Sequence, residues 1–218
     1  LEYTVPQIEI YDLDKDTVYV DWVNPHKAVD PATFIYDDCL YVMGSTVKKD
    51  VYSSQVHTLD LKSGVWYDTG IVIPKERRDF MKCVLKGHVV YFFGGQNMAS
   101  MWKVRSYDLQ TDEWSDLCDL KVNVCCPGVA INEDLIYIYE NAILQTYNIR
   151  THLVNAYYLK EGLEDSGLFY NGGKLYIVGG RQQSSIPKYQ ESSDIEYQEP
   201  TVEPENVFSV DVSHISPE

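Results

Sequence analysis

At 218 residues and 44% hydrophobic content the chain is long enough for one well-buried domain, and no run of 18 apolar residues offers a membrane-spanning helix. A formal net charge of −15 would repel the phosphates of nucleic acid over most of the surface, and no basic-then-apolar opening marks a secretory leader. Five cysteines (Cys39, Cys83, Cys118, Cys125 and Cys126), odd in number, without metal-ligand spacing or an Asn-X-Ser/Thr sequon, indicate free thiols in a reducing compartment, so cytosol or nucleus is expected.

Taken in chain order, short β-branched and aromatic runs follow one another. Two strands open the sequence, Ile8 to Leu13 and Thr17 to Val23. Three sets of four follow: Pro31 to Asp37, Cys39 to Gly44, Gln55 to Leu61 and Val65 to Ile71; Asp79 to Lys86, His88 to Phe93, Lys103 to Leu109 and Glu113 to Leu120; Pro127 to Ile131, Leu135 to Tyr139, Ile143 to Ile149 and Leu153 to Leu159. Three strands close it, Gly167 to Asn171, Lys174 to Val178 and Asn206 to Val212, and a last one should begin near Glu218.

Two signatures recur through these units. "VVYFFGG" (Val89 to Gly95), "LYIVGG" (Leu175 to Gly180), "LYVMGS" (Leu40 to Ser45) and "IYIYEN" (Ile136 to Asn141) share a tyrosine; the first two end on two glycines, the third keeps one and the fourth none. Downstream lie "LDLKSGVW" (Leu59 to Trp66) and "YDLQTDEW" (Tyr107 to Trp114), with weaker copies at Tyr147 to Val154, Tyr11 to Val18 and Val210 to His214. With Asp12, Asp60, Asp108, Asn148 and Asp211 as markers, the steps are 48, 48, 40 and 63 residues, a period that points to a propeller.

These signatures in this order resemble the kelch repeat, most fully from Asp79 to Leu120. The resemblance implies an all-β fold, a kelch-type β-propeller of four-stranded antiparallel blades, with about four and a half blades in residues 1–218 and further strands outside this sequence. Four-bladed closure using the N-terminal pair is the alternative. Independently of the family, a four-stranded sheet cannot bury both faces alone, so blades must stack, with Trp66, Trp114, Tyr91 and Tyr176 filling the space between neighbours. Residues 181–205, acidic and carrying three prolines, read as a mobile insertion between second and third strands.

Up-and-down strand order gathers the second-to-third-strand connections and the inter-blade connections on one face. In kelch proteins the corresponding face is commonly the recognition surface. Here it would carry Lys48, Lys49, Lys75, Arg77, Arg78 and Arg181, a basic cluster on an acidic protein, with Gln96, Asn97 and Gln182 beside it. Arginine forks suit carboxylate or phosphate groups, so the expected partner is a protein or peptide held on this face.

The chain looks most like the propeller of a BTB-kelch protein, which implies capture of substrates for a cullin-based ubiquitin ligase, with cullin reached only through a BTB domain upstream of this sequence. A cytoskeletal kelch scaffold of the actin-organising kind is the second reading, and a kelch-fold metal-dependent enzyme the third. No catalytic residue, metal ligand or cofactor is expected: His26, His57, His88, His152 and His214 sit at unrelated phases of the repeat, and no pair is spaced for copper or zinc.

Overall fold

The computed structural model describes residues 7–28, 30–44, 46–48, 51–75, 82–95, 102–159, 162–182, 195–198, 201–203 and 207–215. It is all-β, with four antiparallel four-stranded blades of the kelch-type β-propeller class, one of them extended by a fifth, parallel strand. The chain divides into two compact units, residues 1–80 and 81–218.

The first unit opens with a two-stranded sheet of its own, β1 (Gln7–Asp12) and β2 (Thr17–Val23). Its one four-stranded blade runs β3 (Ala32–Tyr36), β4 (Cys39–Met43), β7 (Gln55–Asp60) and β8 (Trp66–Val72). Between β4 and β7 a small hairpin, β5 (Thr46–Lys48) with β6 (Val51–Tyr52), lengthens the connection.

The second unit holds three consecutive blades. The first is β9 (Lys82–Lys86), β10 (Val89–Phe93), β11 (Lys103–Asp108) and β12 (Glu113–Asp119). The next is β13 (Gly128–Asn132), β14 (Leu135–Glu140), β15 (Ile143–Asn148) and β16 (Val154–Leu159). A short pair follows, formed by β17 (Leu163–Glu164) and β20 (Arg181–Gln182). The last blade has β18 (Gly167–Asn171) and β19 (Lys174–Val178), then β23 (Val207–Asp211). The inner strands β9, β13 and β18 lie side by side, as stacked blades require.

Alternation along each strand sends one set of side chains to each neighbouring blade. Tyr91, Phe93 and Val104 leave one blade to meet Ile136, Ile138 and Tyr147 of the next, and Tyr91 and Tyr147 have ring centroids 6.1 Å apart. On the opposite face of that second blade, Tyr137, Tyr139 and Leu144 meet Leu168, Leu175, Ile177 and Val210. Tyr137 stacks on Tyr170 at 5.8 Å. Val154 occupies the position Trp114 holds one blade earlier and joins the first of these clusters. Trp114 is half-buried, stacked on Tyr107 and Phe92 of its own blade with centroids 4.8 and 5.2 Å away.

The recurring Asp or Asn has a local cause. Asp60, Asp108 and Asn148 each accept, through Oδ1, the backbone N–H groups two and three residues on, at 2.8 to 3.2 Å, and so form the turn from third to fourth strand. Asp12 does the same with Asp14 and Lys15. The preceding tyrosine secures the far side of the turn: Tyr107 donates to Asp112 at 2.5 Å, and the Tyr147 hydroxyl meets His152 Nδ1 at 2.6 Å.

In the last blade the fourth position is filled from an unexpected direction. A strand inside the insertion, β22 (Thr201–Glu203), pairs antiparallel with β23, where the repeat places a strand starting near residue 218. Another insertion strand, β21 (Ile195–Gln198), adds in parallel to the outer edge of β16. Both cover strand edges that would otherwise lie open. The remainder of the 181–205 segment, beyond β20, β21 and β22, lies outside the described residues.

Candidate recognition face

Within each unit the second-to-third-strand connections do meet the inter-blade linkers. Ile73 N–H donates to Ser54 C=O at 2.9 Å, Gly95 N–H to Cys125 C=O at 3.0 Å, and Asn141 N–H to Leu163 C=O at 3.2 Å. The β17–β20 pair is the same juxtaposition built as a ladder. The second-to-third-strand loops and the inter-blade linkers therefore share one side of the blades in each unit.

The paired glycines find their reason here. At Gly94, φ is +77°, and a Cβ would lie 2.3 Å from Cys125 C=O and 2.8 Å from Pro127. Only a residue without a side chain lets the linker pass this close. The equivalent Gly179 also has positive φ, +68°, but open space around it. In the blade that lacks glycine, Asn141 and Ala142 take φ of 52° and 67° and form a two-residue hairpin turn between β14 and β15. Asparagine tolerates that conformation, and the connection is a tight hairpin in place of the longer segment that joins β10 to β11.

Glu140, at the position of Gly94, puts its side chain to use. Its two carboxylate oxygens accept the N–H groups of Cys125 and Cys126 at 2.8 and 2.7 Å, while burial pushes its acidity toward the protonated form, above the usual carboxylate range. Gln145, fully buried, pairs with both the N–H and C=O of Val122 at 2.9 and 2.8 Å. Linker 121–127 is thus pinned by β14 and β15 on one side and by Gly95 on the other.

Of the basic cluster expected from sequence, Lys48 lies in β5, exposed Lys75 in the linker after β8, and Arg181 and Gln182 together in β20. Arg181 is exposed and paired with Asp165 at 2.5 Å, so part of its charge is already answered locally. Lys49, Arg77, Arg78, Gln96 and Asn97 lie outside the described residues. Lys48 and Lys75 belong to the first unit and Arg181 to the second.

Two arrangements were not legible from spacing. His26 and His57, 31 residues apart, are both buried with Nδ1 atoms 3.0 Å from each other. His26 Nε2 donates to Gly44 C=O at 2.9 Å, which leaves its Nδ1 to accept a hydrogen bond from His57 Nδ1–H. Desolvation holds His26 below the ordinary histidine range, so a neutral His26 makes a structural hydrogen bond here. The second arrangement is the Cys125–Cys126 pair, with Sγ atoms 3.6 Å apart. Among the described residues, no cluster of three or more His, Cys, Asp or Glu side chains is arranged to hold a metal ion.

Blade signature, four-stranded sheets and loop-to-linker geometry define a kelch-repeat β-propeller, a protein-interaction fold. No family model matches the chain. It is similar to the Kelch repeat and BTB domain-containing protein 2 of cowpox virus (strain Brighton Red), with 22% identity over 162 residues, 74% of this chain. The match spans 29% of that relative's length.

Proposed function

We propose that this chain is a non-enzymatic substrate-recognition domain, working in the cytosol or nucleus as the kelch part of a BTB-kelch adaptor for a cullin-based ubiquitin ligase. The observation that carries the reading is the loop-and-linker face: second-to-third-strand connections, lengthened by the β5–β6 hairpin and by the 181–205 insertion, stand against the inter-blade linkers. Such a face presents varied side chains from rigid blades, as protein recognition requires. The BTB domain that the cowpox virus relative carries in its name supports the adaptor role.

The partner is a protein or peptide bearing carboxylates or phosphates, met by Lys48, Lys49, Lys75, Arg77, Arg78 and Arg181, with Gln96, Asn97 and Gln182 supplying amide contacts. Affinity purification of the full-length protein from cells tests the ligase role. A cullin should co-purify through the part of the protein upstream of this chain, and a clean preparation of cytoskeletal proteins in its place would reject the adaptor reading.

A further inference from the structure

The vicinal thiols of Cys125 and Cys126 sit on the loop side of the second unit, in the linker between β12 and β13. Adjacent residues in extended backbone send their side chains to opposite sides. Here the two Sγ atoms instead lie together at 3.6 Å, both half-buried. The backbone that brings them together is held at three points: the N–H of Cys125 and of Cys126 by the Glu140 carboxylate, and the C=O of Cys125 by Gly95 N–H. This is a preorganised dithiol.

Two chemistries are open to such a pair, and geometry decides between them. A disulfide requires the sulfurs to close to about 2.05 Å, a movement of roughly 1.5 Å from their present 3.6 Å separation. The pinned linker opposes that movement. Two thiolates bound to one ion at about 2.3 Å, the Zn–S distance, and 3.6 Å apart subtend about 103° at the metal, near the tetrahedral angle, with no movement at all. The surroundings of the pair are acidic: Glu140 and Asp165 bear electrostatically on both thiols and Glu164 on Cys125, a field that attracts a cation.

We propose that Cys125 and Cys126 form a two-thiolate site for a thiophilic divalent cation of the Zn²⁺ or Cd²⁺ class, with water completing the coordination. Binding replaces two S–H protons by two metal–sulfur bonds, with no change of oxidation state. Glu140 acts as a positioning residue, through the two amides rather than by ligating. The site is independent of the ligase role, since any chain with this linker would carry it.

Cadmium titration of the reduced, chelator-treated full chain tests the proposal through the ultraviolet sulfur-to-cadmium charge-transfer band. The band should saturate at one ion per chain. Cys125→Ser and Cys126→Ser should each weaken binding at least about tenfold, while a Cys39→Ser/Cys83→Ser/Cys118→Ser variant should bind as wild type does. If either single variant fails to fold, alkylation of the wild-type chain with and without Cd²⁺, mapped by mass spectrometry, gives the same answer: Cys125 and Cys126 alone should be protected. Absence of the band, its survival in Cys125→Ser, or protection of the other three cysteines instead would overturn the site.

Discussion

Replacing Gly94 and Gly179 by alanine, one at a time, separates two reasons for a glycine at the end of the second strand. Both residues have positive φ, so each alanine meets the left-handed penalty of about 1 kcal/mol. At Gly179 nothing lies within 4 Å of the added Cβ, and the loss should stop there. At Gly94 the Cβ would lie 2.3 Å from Cys125 C=O, a backbone atom that cannot swing aside. Linker 121–127 must move by an ångström or so, which breaks the Gly95 N–H to Cys125 C=O bond and disturbs the two amide bonds to Glu140. One neutral hydrogen bond at about 1 kcal/mol, with partial loss of two charge-assisted ones, brings the total to roughly 3 to 4 kcal/mol. Urea unfolding with a common slope measures the difference, and melting should follow, with drops of about 6–16 °C for Gly94→Ala against about 2–4 °C for Gly179→Ala. Equal losses within experimental error would refute the close approach as the reason for Gly94.

Trp114→Ala should cost roughly 2 kcal/mol by chemical denaturation, less than full core truncation, because the indole is half-buried against Tyr107 and Phe92; a loss below about 0.5 kcal/mol would contradict that packing. His26 has a folded-state acidity held below its unfolded value near 6.5, so the unfolded chain takes up the proton first as pH falls. Stability should therefore be full above about pH 7 and decline below about 6.5, and His26→Gln should flatten that slope in urea midpoints taken across the range. Arg77→Ala combined with Arg78→Ala should weaken binding of an identified partner at least about tenfold while leaving the melting temperature nearly unchanged, with the largest slowing of association at low salt.

The blades were legible because their signals are local. Thr17–Val23, Gly167–Asn171 and Lys174–Val178 fall on their expected bounds, and most other strands within two residues, since alternation and turn-forming Asp or Asn act over a few neighbours. What escaped was set by contacts distant in sequence. Nothing in "IYIYEN" says that Glu140 holds the amides of residues 125 and 126, or that Asn141 and Ala142 close a two-residue hairpin where the other blades have a longer connection. The His26–His57 pair spans 31 residues and has no motif. The strands β21 and β22 lie in a segment of low hydrophobicity, where pairing with an available edge, rather than composition, sets the conformation. Arg181 was read as one member of a basic cluster; its ion pair with Asp165 depends on the β17–β20 ladder, which brings the linker beside it.

Quantitative proximity labelling in cells, comparing three forms of the full-length protein, puts the recognition face to its most direct test. One is wild type; one carries Arg77→Ala, Arg78→Ala and Arg181→Ala; one carries Lys62→Ala and Arg150→Ala in the third-to-fourth-strand turns on the opposite face, where these residues pair with Asp38 and Asp134. A partner enriched by wild type should be enriched equally by the opposite-face variant and fall at least about tenfold with the loop-face variant. A partner that is lost with the opposite-face variant and retained by the loop-face variant would contradict the account.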